Sequence, residues 1–286
     1  MHLLPLLLTT LSPTAEAGYP DDVRLSSLGT WRGETVENAS AQKEAYRTVI
    51  RQLGAAIANK PLAATRTLGV NGFDAQLTQT WAFVSAANDD YFTPSPWERV
   101  HEDEDPSRVM WLPGVQLRKG LPLSLEAGMS WSWIGFSRQT AIGGFGRWSV
   151  LEGWEKAPDI SFQLGYTGYI GNDELDMGVL DASMSIGYTF PFGYLKGINQ
   201  ASISPFIGCG TLKINAIPRM TAEEQAVLGI GPVSGFSSKD HFTKGFNLVT
   251  PHLGFRIKSG DFTLATTGTI TPKALPTISM AAGLSY

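Results

Sequence analysis

From residue 68 to the end of the chain, apolar and polar side chains alternate with a period of two, the spacing at which successive residues of a β-strand point to opposite faces. In GFDAQLTQTWAFV the apolar set Phe73, Ala75, Leu77, Trp81 and Phe83 is interleaved with Asp74, Gln76, Thr78 and Thr80. LPLSLEAGMSWSW puts Leu123, Leu125, Ala127, Met129, Trp131 and Trp133 on one face, with Ser124, Glu126, Gly128, Ser130 and Ser132 on the other. The rhythm returns in Ile160, Phe162, Leu164 and Tyr166, and in Leu180, Ala182, Met184, Ile186, Tyr188 and Phe190. Val249, Leu253, Phe255 and Ile257 continue it opposite Thr250, His252 and Arg256, and Ile278, Met280, Ala282, Leu284 and Tyr286 close it. Strands of soluble proteins have a mode of about 5 to 6 residues, whereas a tilted membrane-crossing strand needs roughly 9 to 11. The pattern predicts about ten strands, at 73–84, 109–118, 121–136, 142–154, 159–171, 175–190, 200–215, 246–258, 261–271 and 276–286. The strand holding Ser204, Pro205 and Phe206 is the least regular, with apolar residues on both faces.

A sheet with one apolar face and one face of small polar residues meets two different solvents. In lipid every backbone donor and acceptor must be paired, so a sheet crosses a membrane only when closed on itself. The predicted fold is therefore all-β, an antiparallel up-and-down transmembrane barrel of about ten strands with a short N-terminal helical segment. Connection lengths agree: with both termini in the periplasm and an even strand count, odd-numbered connections face outward and are the longer ones. The long stretches 85–108 and 216–245 are the first and seventh, and the turns Arg118-Lys119-Gly120 and Lys258-Ser259-Gly260 are the second and eighth. The connection through Pro191 and Gly193 is longer than a periplasmic turn should be.

Ahead of the strands the period changes to that of a helix. Tyr46, Val49, Ile50, Leu53 and Ile57 share one face, Asn38 or Ser40 can cap the start, and Pro61 stops the end, which predicts an amphipathic helix over 41–59. That helix either plugs the periplasmic mouth of the barrel, docks on another protein, or packs locally. Before it, MHLLPLLLTTLSPTAEA places an apolar run ahead of Ala15 and Ala17, the small residues of an export cleavage site, although His2 stands where Lys or Arg is usual. The chain then divides into a signal peptide at 1–17, a periplasmic N-terminal segment at 18–67 and the barrel at 68–286.

Composition narrows the functions. Charged residues make up 17% of the chain and its net charge is −4, without a Lys/Arg cluster, so nucleic acid is not an expected partner. No stretch reaches the 18 or so apolar residues of a membrane helix. Cys209 is the only cysteine, so no internal disulfide forms and the side chain is expected simply to pack. Neither a cofactor motif nor a metal site is expected: GGFGRW around Gly143 has no Lys-Ser/Thr ending and no following helix, and the Cys and His pairs of a zinc site are missing.

These strands resemble the bacterial outer-membrane β-barrel superfamily over roughly residues 68 to 286. The most specific element is the end, where Ile278, Met280, Ala282, Leu284 and terminal Tyr286 resemble the signal by which the barrel assembly machinery recognises its clients, most of which end in Phe. The resemblance implies location in the outer membrane, contact with its lipids and lipopolysaccharide, and no particular activity. Trp131, Trp133, Trp148, Trp154, Tyr166 and Tyr188 are expected in interfacial girdles; in a soluble β-sandwich they would fill a core instead.

Candidate chemistry falls into two groups. Inward-facing Glu126, Arg147, Asp181, His252 and Arg256 form a charged network, which either lines a passage for a small polar or amphipathic solute or pairs internally. The outer loops hold Asn88, Asp89 and Asp90, then His101, Glu102, Asp103, Glu104 and Asp105, with Asp240 and His241 in the other long loop. Carboxylates beside histidine can activate water, and a ten-stranded outline with such loops is similar to the omptin surface proteases, although Asp240-His241 does not reproduce their Asp-x-His pair. The expected function is a small pore, transporter or structural barrel. The alternatives are a surface hydrolase, omptin-like or lipid-modifying, using Asp89, Asp90, Asp240 and His241, and a soluble secreted all-β binding protein.

Overall fold

The computed structural model describes residues 21–31, 34–35, 39–63, 65–86, 94–101, 106–154, 157–192, 201–234 and 247–286. Ten long antiparallel strands form its wall: β1 (Phe73–Phe83), β2 (Val109–Leu121), β3 (Leu125–Trp133), β4 (Thr140–Leu151), β5 (Asp159–Ile170), β6 (Leu175–Gly187), β7 (Ala201–Pro218), β8 (Asn247–Ser259), β9 (Phe262–Ile270) and β10 (Pro276–Ser285). Each pairs with its sequence neighbours, and β10 returns to β1 through Thr277↔Ala82 to Ser285↔Asp74, so the sheet is closed. Closure leaves no open edge to solvate in hydrocarbon.

Alternation puts the large apolar residues outside. Leu77 is 70% exposed and Leu253 64%, with Met129, Ile207, Leu164 and Ile278 on the same outward face. No second layer of protein covers them among the described residues, so the soluble two-sheet alternative does not describe this chain. Aromatic side chains gather toward both rims. Trp111, Trp131 and Trp133 are exposed toward one end of the barrel, and Phe73, Trp148, Phe262 and Tyr286 toward the other. Trp154 lies beyond the end of β4 and is exposed.

Two local expectations are corrected, and a third is met. The turn after β2 is not Arg118-Lys119-Gly120, because β2 continues to Leu121 and the reversal is made by residues 122–124. There Leu123 and Ser124 adopt positive φ of 63° and 57°, and Leu123 leaves the apolar face it was assigned to. Cys209 does not pack inside; it stands exposed on the outer wall. In β7, Pro205 falls between the ladder to Phe190–Phe192 and the ladder to β6 that starts at Phe206↔Gly187, a break where a missing N–H does little harm.

The largest correction concerns the helix, α1 (Ala39–Ile57). Ser40 lies inside α1 rather than capping it, and Asn38 lies outside the described residues. Gln52 donates to Ser85 Oγ at 2.8 Å and to the Ala274 carbonyl at 3.1 Å, and Tyr46 Oη donates to the Gly231 carbonyl at 3.3 Å. Those partners belong to the first, ninth and seventh connections. The helix therefore occupies the mouth bearing the long connections, opposite the short-turn end where Phe73 and Tyr286 pair. Its outer half is amphipathic, with Lys43, Glu44, Arg47 and Thr48 partly or fully exposed, whereas every residue from Gln52 to Lys60 is buried. Burial on all sides means that the end of the helix is inside the barrel.

The upper wall is built to receive it. Met110, Leu112, Met177, Val179, Leu212, Ile214 and Leu248 turn inward and pack with Val49, Ile50, Leu53 and Ile57 in one core. This explains why β7 is apolar on both faces: Ile207 meets the outside and Ile214 meets the helix. Gly54 touches Ile214 so closely that any side chain there would collide with it.

The N-terminal strap also folds back onto this mouth. Asp21 donates its N–H to the Phe136 carbonyl at 3.2 Å and Arg24 to the Val100 carbonyl at 2.8 Å, and Ser26 is held by Glu174. Burial, partly offset by hydrogen bonds from Ser107, pushes the Asp21 carboxyl up to about 6 from 3.8. A raised acid favours the docked strap while both states are protonated, and that advantage is lost as pH rises from about 4 to about 6. The difference is on the order of 2 kcal/mol. Amides of residues 21–28 should therefore exchange more freely at pH 7 than at pH 4.5 after correction for intrinsic rates. Asp21→Asn should abolish the dependence, and an unchanged pH response in that variant would remove Asp21 as its source.

Candidate functional site

After Ile57 the chain does not leave the barrel. Residues 58–63 and 65–68 run down the lumen from the long-connection mouth to the short-turn end, where β1 begins. At mid-height Asn59 Nδ2 donates to Asp181 Oδ2 at 2.9 Å and Ser130 Oγ donates to Asn59 Oδ1 at 2.9 Å. Thr267 Oγ1 then donates to the Pro61 carbonyl at 3.0 Å, and Ser149 Oγ holds the Thr65 carbonyl. Lower down, Arg147 Nη2 donates to the Arg66 carbonyl at 2.7 Å, Arg66 pairs with Asp159 at 2.9 Å, and the Leu68 N–H donates to Glu126 Oε1 at 2.6 Å. Polar residues of the wall thus serve a buried backbone that has no strand partner and makes only a local bond of its own, from the Leu62 N–H to the Lys60 carbonyl.

The wall glycines are part of this fit. A Cβ on Gly165 would lie 2.6 Å from Asn59 Nδ2, and one on Gly143 would lie 2.7 Å from Asn59 Oδ1. These two strand glycines leave the space through which the chain passes. Two lumen cavities beside the segment, among the described residues, measure about 20 and 40 Å³, room for isolated waters.

Charges concentrate at the short-turn end. Asp74 accepts from Arg118 and from Arg256 Nη2 at 2.7 Å, Glu126 pairs with Arg147 at 2.7 Å, and Arg118 stands 3.7 Å from Glu126, all of them buried. Arg66 with Asp159, and Glu152 beside Arg147, extend the cluster to four guanidiniums and four carboxylates. In the connection after β4, burial raises the Glu152 carboxyl, but hydrogen bonds from Ser124 and Thr67 outweigh it and hold it below its ordinary range. Asp74, Glu126 and Asp159 are each engaged by a guanidinium of the cluster, so its charges face one another.

The five residues read as one network divide into separate groups. Glu126, Arg147 and Arg256 join the cluster just described; Asp181 serves Asn59; His252 shares a 2.9 Å hydrogen bond with Ser185. The Ser185–His252 contact resembles a nucleophile and base, yet both are buried in the lumen beside a cavity of about 20 Å³, without room for a substrate. Asp74 and Arg118 complete the cluster and were not singled out from the sequence: Arg118 looked like a turn residue, and Asp74 like one polar position among several. Asn59 and Lys60 carried no strand periodicity to mark them. Asp89, Asp90, Asp240 and His241 lie outside the described residues. His101 is buried against Trp97. No group of three or more His, Cys, Asp or Glu suited to a metal occurs among the described residues.

No protein-family profile matches the chain. No curated protein matches it either. Among solved structures it is similar to the transport unit of the autotransporter AIDA-I from Escherichia coli, at 10% identity over 86% of this chain and 98% of that one, with a TM-score of 0.37. LpxR from Salmonella typhimurium matches at 8% identity over 62% and 72%, TM-score 0.31. Ail, the attachment invasion locus protein of Yersinia pestis, matches at 10% identity over 76% and 99%, TM-score 0.28. The fold assignment rests on this chain's own strand pairing and exposed face. A closed sheet of ten antiparallel strands, apolar outside, polar in the lower lumen and apolar where it receives α1, has the architecture of a membrane-spanning β-barrel.

Proposed function

We propose that the protein is a self-occupied structural barrel, shut to solutes at rest, which carries its own N-terminal segment through the lumen and holds a folded cap at the long-connection mouth. The observation that carries this reading is the hydrogen bonding of Asn59, Pro61, Thr65, Arg66 and Leu68 to successive levels of the wall. Because short turns face the periplasm in this class, the cap of α1, the 3₁₀ turn Ser26–Gly29 and the long connections faces outward. The periplasmic location expected for residues 18–67 then gives way to an external one for the described residues ahead of Ala58. Passage of a small polar solute would require the lumen segment to move aside. The terminal strand, with Ile278, Met280, Ala282, Leu284 and Tyr286 facing outward beside β1, keeps its proposed role as the signal to the assembly machinery.

The test is a reversible lock. Cysteines at Gly54 and Ile214, introduced with Cys209→Ser, should form a disulfide that pins α1 to the wall. Planar bilayers should record no discrete conductance with the lock closed, and none from the native protein. Steady open-channel steps from the locked protein would overturn the reading, because current would then flow with the segment in place.

A further inference from the structure

The outer wall is not uniformly convex. A shallow apolar depression of about 830 Å³ crosses strands β2 to β7, bordered by Leu121, Leu125, Trp148, Phe162, Met184 and Cys209. Its floor consists of Ala127, Gly146, Ala182 and Thr211, which stand in one cross-strand row with Leu164. Packing does not demand the smallness of this row. A Cβ on Gly146 would meet nothing nearer than the Glu126 carbonyl at 3.9 Å, so its missing side chain leaves the space open.

The register sets the slope of the depression. Leu121 and Leu125 are the last residues at the short-turn ends of β2 and β3, whereas Cys209 and Thr211 lie midway along β7. Five inter-strand spacings of about 4.8 Å make its length about 24 Å. A strand tilt of roughly 35–45° converts this to a rise of about 15 Å. That is half of a hydrocarbon core about 30 Å thick, the depth of one leaflet. The lower end carries a cation: Lys119, exposed and opposite Ala127, donates to the Asn71 carbonyl at 3.2 Å at the water-facing rim.

We infer that this depression is a site for one glycerophospholipid of the short-turn leaflet, with an acyl chain laid along Ala127, Gly146 and Ala182 and its phosphate at Lys119. A depression that starts at the interface beside a cation and ends at the bilayer centre has the length, slope and polarity of such a lipid. Its far end avoids the opposite leaflet, which argues against a lipid entering from the long-connection side.

Native mass spectrometry of protein extracted from vesicles of phosphatidylethanolamine and phosphatidylglycerol tests the site. The native barrel should retain one phospholipid after detergent exchange. Gly146→Leu with Ala182→Leu fills the floor and should lose it, and Lys119→Gln should weaken retention without filling anything. If the filled variant fails to give a barrel that resists unfolding until heated, Ala127→Leu with Thr211→Leu occupies the same space from other strands. Equal retention by native and filled proteins would overturn the proposal, and so would a native barrel that carries no lipid.

Discussion

Asp74→Ala is expected to lower the stability of the barrel by about 3–5 kcal/mol, the scale at which one member of a buried ion pair is removed and its partner left behind. Asp74 is fully buried and receives both Arg118 and Arg256, so its loss strands Arg256 and leaves Arg118 only the more distant Glu126. Glu126 compensates only in part, because it is engaged with Arg147 at 2.7 Å. Asp74→Asn keeps an acceptor but not the charge, and should fall between the two. The exposed pair Arg219–Asp176 provides the contrast, since solvent screens it and breaking it should leave the midpoint nearly unchanged. Urea titration in detergent micelles, followed by the shift between unboiled and boiled protein on gels, reads all three. Similar midpoints for Asp74→Ala and Asp176→Ala would mean that the cluster is solvated and not buried as the structure has it.

The second large effect is electrical. Gly143→Leu with Gly165→Leu should open the barrel, because both side chains would enter the space now held by Asn59. Overpacking of this kind costs about 1–3 kcal/mol, less than the closed ladder of ten strands can absorb, so the segment should give way before the wall does. The native protein should be silent in planar bilayers and the double variant should show discrete steps, with residues 58–68 newly open to protease. A double variant that is folded, silent and protected would show that the wall yields instead.

Why so much of the wall was legible follows from the two solvents it separates. Leu77, Met129, Leu164 and Leu253 had to be apolar because they face hydrocarbon, and Glu126, Asp181 and His252 had to alternate with them because a strand offers its faces in turn. Where the reading failed, a third partner had entered. Leu212 and Ile214 broke the alternation of β7 because their inward side meets α1. Arg118 was taken for a turn residue because Lys119-Gly120 imitates one, while the actual reversal uses Leu123 and Ser124 at positive φ, which composition does not announce. The apolar stripe of α1 marked a helix with something to bury against, but an identical stripe suits local packing, a partner protein or either mouth of a barrel.

Sequence alone therefore determined the kind of wall: strand length, strand number, the face given to lipid and the closure that lipid enforces. Which mouth the helix enters, which glycines make way for Asn59 and which carboxylate answers which arginine were decided only by the tertiary structure. The reason is one of range. Alternation is a local response to solvent and repeats every two residues, whereas the course of the described lumen residues depends on contacts from Asn59 to Asp181 and from Leu68 to Glu126 that no local period records.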